Sequence, residues 1–282
     1  MPQGQLTYEV FVAPGIPTTV TDLPPDLDRR MWSPISSTLI YGERDAVLVD
    51  PLMTISQADA LIEWVAARDK RLTAVYVTHA HGDHWFGLAK VLKAFPDAHA
   101  LALPHVVERM HAQASPEFVE SFWNTRFPGQ IPTDLLLPEP MQGNFIELEG
   151  NRLEAVPLGH TDTDDTTCLH VPSLDLVLAG DAVYNNVHLY LAESPEEGRK
   201  QWLAALDVIE NLNPRLVVAG HKDPQAPDAA SDISATRAYI HNFARLADEA
   251  TSALDLYEAM LDIYPDRINR GALWGSARFA LG

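Results

Sequence analysis

The sequence predicts a layered α/β fold. Strand-like and helix-like stretches alternate through residue 103, and a second series of strands begins at Phe145. The tail from Asp228 to about Ile263 then reads as helical.

The elements follow in order. Tyr8-Glu9-Val10-Phe11-Val12 reads as a first strand, and a Pro-rich loop runs from Pro14 to Pro34 past Met31-Trp32. Ser37 to Tyr41 and Ala46 to Asp50 form a hairpin across Gly42-Glu43-Arg44-Asp45. Ser56 is the expected cap of a helix reaching about Arg68, with Ala60, Leu61, Trp64 and Val65 on one face. Leu72 to Val77, apolar and β-branched, is a buried strand; Trp85 to Lys93 is an amphipathic helix; Ala98 to Leu103 is another strand.

From about 104 to 143 the pattern changes to short helices, Val106–Gln113 and Pro116–Arg126, and a Pro-studded loop. This reads as an insertion over the sheet edge. Its large apolar groups Met110, Phe118, Phe122 and Trp123 are assigned first to the core, with Trp123 also a candidate substrate contact. Strands then recur at 145–148, 152–156, 166–171 and 174–179, divided by turns at Glu149-Gly150-Asn151 and Pro172-Ser173. A helix from Pro195 to Asn211 has Ser194 and Glu197 as its expected capping box. Leu216 to Ala219 is a last short strand, and the C-terminal helices break near Asp248. The expected organisation is a single domain over 1–282, with a helical extension over about 228–282.

Composition narrows the function classes. Hydrophobic residues make up 46% of 282, enough for a globular core. The net charge of -19 disfavours nucleic acid and anionic membranes, both of which recruit Lys and Arg. The sequence has no apolar run of membrane-spanning length. Met1 to Leu6 lacks the basic and then apolar pattern of an export signal, and the single Cys168 excludes an internal disulfide. A cytoplasmic protein acting on a small molecule is the expectation.

Chemistry concentrates in Thr78-His79-Ala80-His81-Gly82-Asp83-His84, on a strand-to-helix turn. Imidazole and carboxylate are ligands that zinc and similar ions prefer. Along an extended turn His79 and His81 point the same way, whereas Asp83 and His84 follow the change of direction and can reach a second point. Three more polar residues share one context, an apolar strand and then glycine: Gly159-His160, Gly180-Asp181 and Gly220-His221. Glycine permits a tight turn and close approach at such strand ends, where sites of α/β sheets gather.

In order and spacing, the motif at 78–84, Gly-His-Thr at 159–161, Ala-Gly-Asp at 179–181 and Ala-Gly-His at 219–221 resemble the metallo-β-lactamase superfamily, over roughly residues 36 to 223. The resemblance implies a four-layer αββα sandwich with a dinuclear site at one edge of its two sheets. By position it implies that His79, His81 and His160 hold a first ion. Asp83, His84 and His221 would hold a second, with Asp181 bridging. Zinc is the expected ion, iron and manganese the alternatives. His99, His105, His111, His170 and His241 are read as non-ligands.

Asp181-Ala182-Val183-Tyr184 is similar to the bridging Asp and the Tyr of dinuclear lactonases, which makes Tyr184 a candidate oxyanion donor. Asn186, His188 and Lys222 are candidate substrate contacts by their closeness in sequence. A hydroxide shared by two ions would attack a carbonyl, with Asp83 orienting the nucleophile or passing a proton. The expected activity is hydrolysis of a lactone or ester, ahead of a β-lactam or thioester. An iron sulfur dioxygenase and a non-catalytic metal-binding module are the rivals from other classes. The C-terminal helices are left between two roles, a cap on the pocket and a homodimer face.

Overall fold

The computed structural model describes residues 4–282. Met1 to Gln3, the start of the stretch read for an export signal, lie outside the described residues.

In the first half of the chain, β1 (Thr7–Ala13), β2 (Ile35–Tyr41) and β3 (Asp45–Val49) precede α1 (Ile55–Ala66). There follow β4 (Arg71–Tyr76), α2 (Leu88–Ala94), β5 (His99–Ala102), α3 (Pro104–Gln113) and α4 (Pro116–Phe118), which widens into a π-helical stretch, Val119–Asn124. The second half runs β6 (Glu139–Pro140), β7 (Phe145–Leu148), β8 (Asn151–Gly159), β9 (Thr166–Val171), β10 (Leu176–Leu178) and β11 (Tyr184–Asn185). It ends with α5 (Glu196–Asn211), β12 (Leu216–Val218), β13 (His221–Lys222), α6 (Ser231–Glu249), α7 (Ala253–Ile263) and α8 (Arg270–Leu281).

Two sheets result. The first runs β11-β13-β2-β3-β4-β5-β6, with β1 also paired to β2; the second runs β12-β10-β9-β8-β7. Pairing of β3 with β4 and of β4 with β5 is parallel, and these strands read as near-continuous apolar runs because both their faces are covered. One apolar cluster lies between the sheets, joining Leu39, Val47 and Val75 to Leu153, Leu169 and Leu176. A second joins Val177 and Val217 of the outer face to Trp202, Phe243, Tyr257 and Leu273 of α5 to α8. With α1 and α2 packed outside the first sheet, the layers are αββα.

Several local expectations shift. Thr54, not Ser56, caps α1, and Gln57 answers it in a reciprocal capping box. α2 begins only at Leu88, because Gly82–His84 curl into a 3₁₀ turn and Gly87 packs so tightly on Pro51 that an added Cβ would strike its carbonyl. Pro195 is the N-cap of α5 and makes no side-chain bond, since the Ser194 hydroxyl donates to the Thr161 carbonyl instead. Within the stretch read as an insertion over the sheet edge, Glu139–Pro140 forms β6 and pairs with β5. The break between α6 and α7 spans 250–252, and α8 adds a last helix. Among the described residues no helix is long and apolar enough to cross a membrane.

Candidate metal centre

The site forms where loops leave both sheets. The His79–His84 turn follows β4, Asp162 follows β8, Asp181 lies in a 3₁₀ turn after β10, and His221 opens β13 just after β12. Thr167 of β9 clamps the two sheets at this end, its N–H and hydroxyl both donating to the Thr78 carbonyl at 3.0 and 2.6 Å. The glycines have the roles their context implies. Gly180 has φ +52°, and a Cβ there would lie 2.7 Å from Thr78 Oγ1. A Cβ on Gly220 would collide with Asp181 Oδ1, so only glycine lets β12 pass this carboxylate.

Three groups of ligand atoms result, of which Asp50, His79 and His84 form one at the back of the site; the other two face its front. His79, His81, Asp162 and Asp181 form one; Asp83, His84 and His221 form the other. In the first, His81 Nδ1 is 2.7 Å and His79 Nε2 3.8 Å from Asp162 Oδ2, and His79 Nε2 is 4.0 Å from Asp181 Oδ2. In the second, His221 Nε2 is 3.4 Å from Asp83 Oδ2, and His84 Nε2 is 3.9 Å from the same oxygen. Asp181 stands between them, with Oδ1 3.2 Å from His84 Nε2 and Oδ2 3.1 Å from His221 Nε2.

These atoms suit a metal ion better than each other. His79 Nε2, His84 Nε2, Asp162 Oδ2 and Asp181 Oδ1 are buried and make no hydrogen bond, although neighbours approach closely, because the groups are not aligned to donate and accept. Unsatisfied buried polar atoms are costly, and four converging on one space fit the donor set of a divalent cation.

The far side of each ring is anchored. His84 Nδ1 faces Asp50 Oδ2 at 3.1 Å, His79 Nδ1 faces Thr78 Oγ1 at 2.9 Å, and His221 Nδ1 faces the Pro34 carbonyl at 2.9 Å. Asp50 also accepts from the Thr78 N–H and hydroxyl, so that hydroxyl accepts from His79. In all three rings Nδ1 is the donor on the far side and Nε2 is turned to the centre. His81 is reversed, with Nε2 held 3.2 Å from Glu193 Oε1 and Nδ1 directed inward. Trp32 Nε1 donates to Asp83 Oδ2 at 2.9 Å.

Electrostatics favour a cation. Burial opposes protonation of His84, but Asp181, Asp83 and Asp50 overcome it and raise its pKa well above the ordinary value. Burial is likewise outweighed at His221, raised to about 10 by Asp181 and Asp83, and at His81, raised by Asp162 and Glu193. His79 is lowered, by burial first and then by the His84 charge. Burial would raise the pKa of Asp181, yet His221 and His84 hold it well below the carboxylate range.

One residue of the expected ligand set lies apart from the others in the structure. His160 joins none of the three groups. Its Nδ1 meets Asp164 Oδ1 at 2.7 Å, its Nε2 meets Ser194 Oγ at 3.1 Å, and the ring packs on Gly198 of α5. Asp162 stands in the cluster instead. Its only signal was a carboxylate two residues beyond a matched Gly-His. Asp50 offered more, as a polar residue directly after a strand, whereas Trp32 and Glu193 carried none.

Tyr184 lies at the centre, and its hydroxyl donates to Asp181 Oδ2 at 3.1 Å. Burial and that carboxylate raise its pKa well above 10.0, so it stays a donor. Trp123 is buried in the wall of a cavity of about 200 Å³ that also meets His81, Asp83, Asp181, Tyr184 and His221. The other three candidate contacts do not line it. Asn186 donates to Asp223, Lys222 pairs with Asp228, and His188 is buried against Tyr239, because each faces α6 or its approach.

The family model for the metallo-beta-lactamase superfamily matches residues 30–221. A hydroxyacylglutathione hydrolase of Francisella philomiragia is 40% identical over 60 residues, 21% of this chain and 22% of that protein. One of Francisella tularensis subsp. novicida is 36% identical over 64 residues, 23% and 24% of the two chains. This chain thus spans under a quarter of the length of the curated relatives it matches. Among solved structures, a metallo-beta-lactamase family protein from Thermus thermophilus superposes with a TM-score of 0.65 at 20% identity, covering 96% of this chain and 91% of that one. A metallo-beta-lactamase from Pontibacter korlensis does so with 0.59 at 15%, covering 84% and 100%. With the family model matching most of the chain, the protein belongs to the metallo-beta-lactamase superfamily.

Proposed function

We propose that the protein is a metal-dependent hydrolase of a small carbonyl compound, with a lactone or ester as the favoured substrate. The observation that carries this reading is the convergence of unpartnered buried nitrogens and oxygens on one another beside a cavity that Asp83, Asp181 and His221 line. His79, His81 and Asp162 would hold one divalent ion, Asp83, His84 and His221 a second, with Asp181 shared between them. Zinc fits the nitrogen-rich donor set. Ions bound there supply an acidified water and polarise a carbonyl.

The chain's own residues do the rest. Trp32 donates to Asp83 Oδ2 and fixes the carboxylate at the cavity, where it can orient a water for attack. Tyr184 lines the cavity and keeps its hydroxyl proton, which it donates to Asp181 Oδ2; turned from that carboxylate once ions occupy it, the hydroxyl would serve a developing oxyanion. The Trp32, Phe122 and Trp123 rings exclude water from one side. A thioester is the second reading, supported by the short match to proteins named hydroxyacylglutathione hydrolases.

Asp181→Ala tests the proposal. The variant should lose metal and activity together, read by metal analysis and hydrolysis of a lactone, an aryl ester, a thioester and a β-lactam. Full metal with full activity in that variant would overturn it.

A further inference from the structure

The cavity beside the cluster carries a positive charge that the chain leaves unanswered. Arg126 lines it, together with the aromatic wall of Trp32, Phe118, Phe122 and Trp123. Its neighbour Arg30 reaches Asp22 Oδ2 at 3.3 Å and the Gly271 carbonyl at 2.8 Å. Arg126 has no carboxylate within ion-pair distance among the described residues, in a chain of 39 Asp and Glu. Its guanidinium lies 3.6 Å over the Phe122 ring and spends one N–H on the Phe122 carbonyl at 2.9 Å. The stack fixes the plane of the group and leaves most of its fork of donors free. Burial and the charge of Arg30 both work against this cation, lowering its pKa from the ordinary value. Tyr190 shares the same wall, and its ring centroid is 6.0 Å from that of His81. The free guanidinium and the candidate metal centre therefore open onto one cavity.

We propose that Arg126 is a specificity-determining anchor for a carboxylate on the substrate. The substrate class is then an amphipathic acid. Its apolar or aryl body lies on the Trp32–Phe122–Trp123 wall, its hydrolysable carbonyl reaches the Asp83–His221 end, and its carboxylate forks onto Arg126. This rests on the hydrolase reading above, which the test separates from it.

The test compares two esters on the metal-loaded protein: 4-nitrophenyl hydrogen adipate, with a free carboxylate, and its neutral methyl diester. The acid should be favoured by about tenfold or more in kcat/KM, mainly through KM, as a charge-assisted fork predicts. Arg126→Gln should bring the ratio of acid to neutral ester to about one, and Arg126→Lys should restore part of it, as a point charge replaces the fork. An unchanged ratio in Arg126→Gln overturns the proposal, and so does a wild-type ratio of one. If neither ester is hydrolysed, the hydrolase reading fails and binding decides the anchor. Quenching of tryptophan fluorescence by 6-phenylhexanoate should then show about tenfold tighter binding than 6-phenylhexanamide, and Arg126→Gln should abolish that difference. Binding that ignores Arg126→Gln would place the carboxylate elsewhere and overturn the anchor.

Discussion

Asp162 closes the first ligand group. It is fully buried; its Oδ1 accepts from the Thr161 hydroxyl, but its Oδ2, 2.7 Å from His81 Nδ1, makes no hydrogen bond. His160, two residues earlier, is satisfied on both nitrogens by Asp164 and Ser194. The two substitutions should therefore separate. Asp162→Ala should weaken metal binding at the first position by more than about 100-fold, beyond what an orienting partner is worth. His160→Ala should keep its metal and lose about 1–2 kcal/mol of stability from two side-chain bonds. Metal content and thermal melts of the two purified variants check this; metal lost from His160→Ala and kept by Asp162→Ala would reverse the assignment. Residues of the 78–84 turn were legible because ligand types crowd there. Asp162 was not, because the Gly-His before it matched a familiar context. Trp32 and Glu193 act across 51 and 112 residues of chain, and no local pattern announces such contacts.

At the scale of elements, the site depends on strand ends that only glycine can shape. Two of the three Gly-ligand repeats were readable, and the packing of Gly180 on Thr78 and of Gly220 on Asp181 gives their reason, whereas Gly159 leads to His160 outside the cluster. The face of α1 was readable in part, since Leu61 and Val65 are buried as expected, whereas Ala60 is exposed and Ala58 is buried in its stead; caps were not, because Ser194 answers a carbonyl across the site rather than its own helix. The first turn of α6 supplies a pH test. Burial raises the pKa of Asp232 to about 6, and the nearby Asp228 charge adds to this. An acid raised in the folded state costs stability where it ionises. Both states are protonated below the unfolded value near 3.8, so the penalty grows as pH rises from about 4 to 6 and is complete above. Asp232→Asn should therefore gain stability relative to the wild type across that window and match it at pH 4. Urea melts at pH 4, 5, 6 and 7 measure this, and a gain independent of pH would refute it.

At the scale of the whole molecule, two sheets and two helical layers meet at one edge and bring Asp83, Asp162 and Asp181 together inside a chain of net charge -19. A layered α/β fold was legible from the order of elements, and its αββα layering from the resemblance; the layout of the cavity wall was not, since it joins the loop before β2 to the insertion and to α8. Three buried carboxylates repel one another unless cations lie among them, so metal binding should stabilise the fold as well as serve its chemistry. The measurement that tests this most directly is metal content per chain, taken with hydrolysis of a lactone or ester before chelation, after it, and after metal is restored. The account predicts about two divalent ions per chain, activity and melting temperature that fall together on chelation, and recovery of both. One ion or none, with hydrolysis unaffected by the chelator, would contradict it.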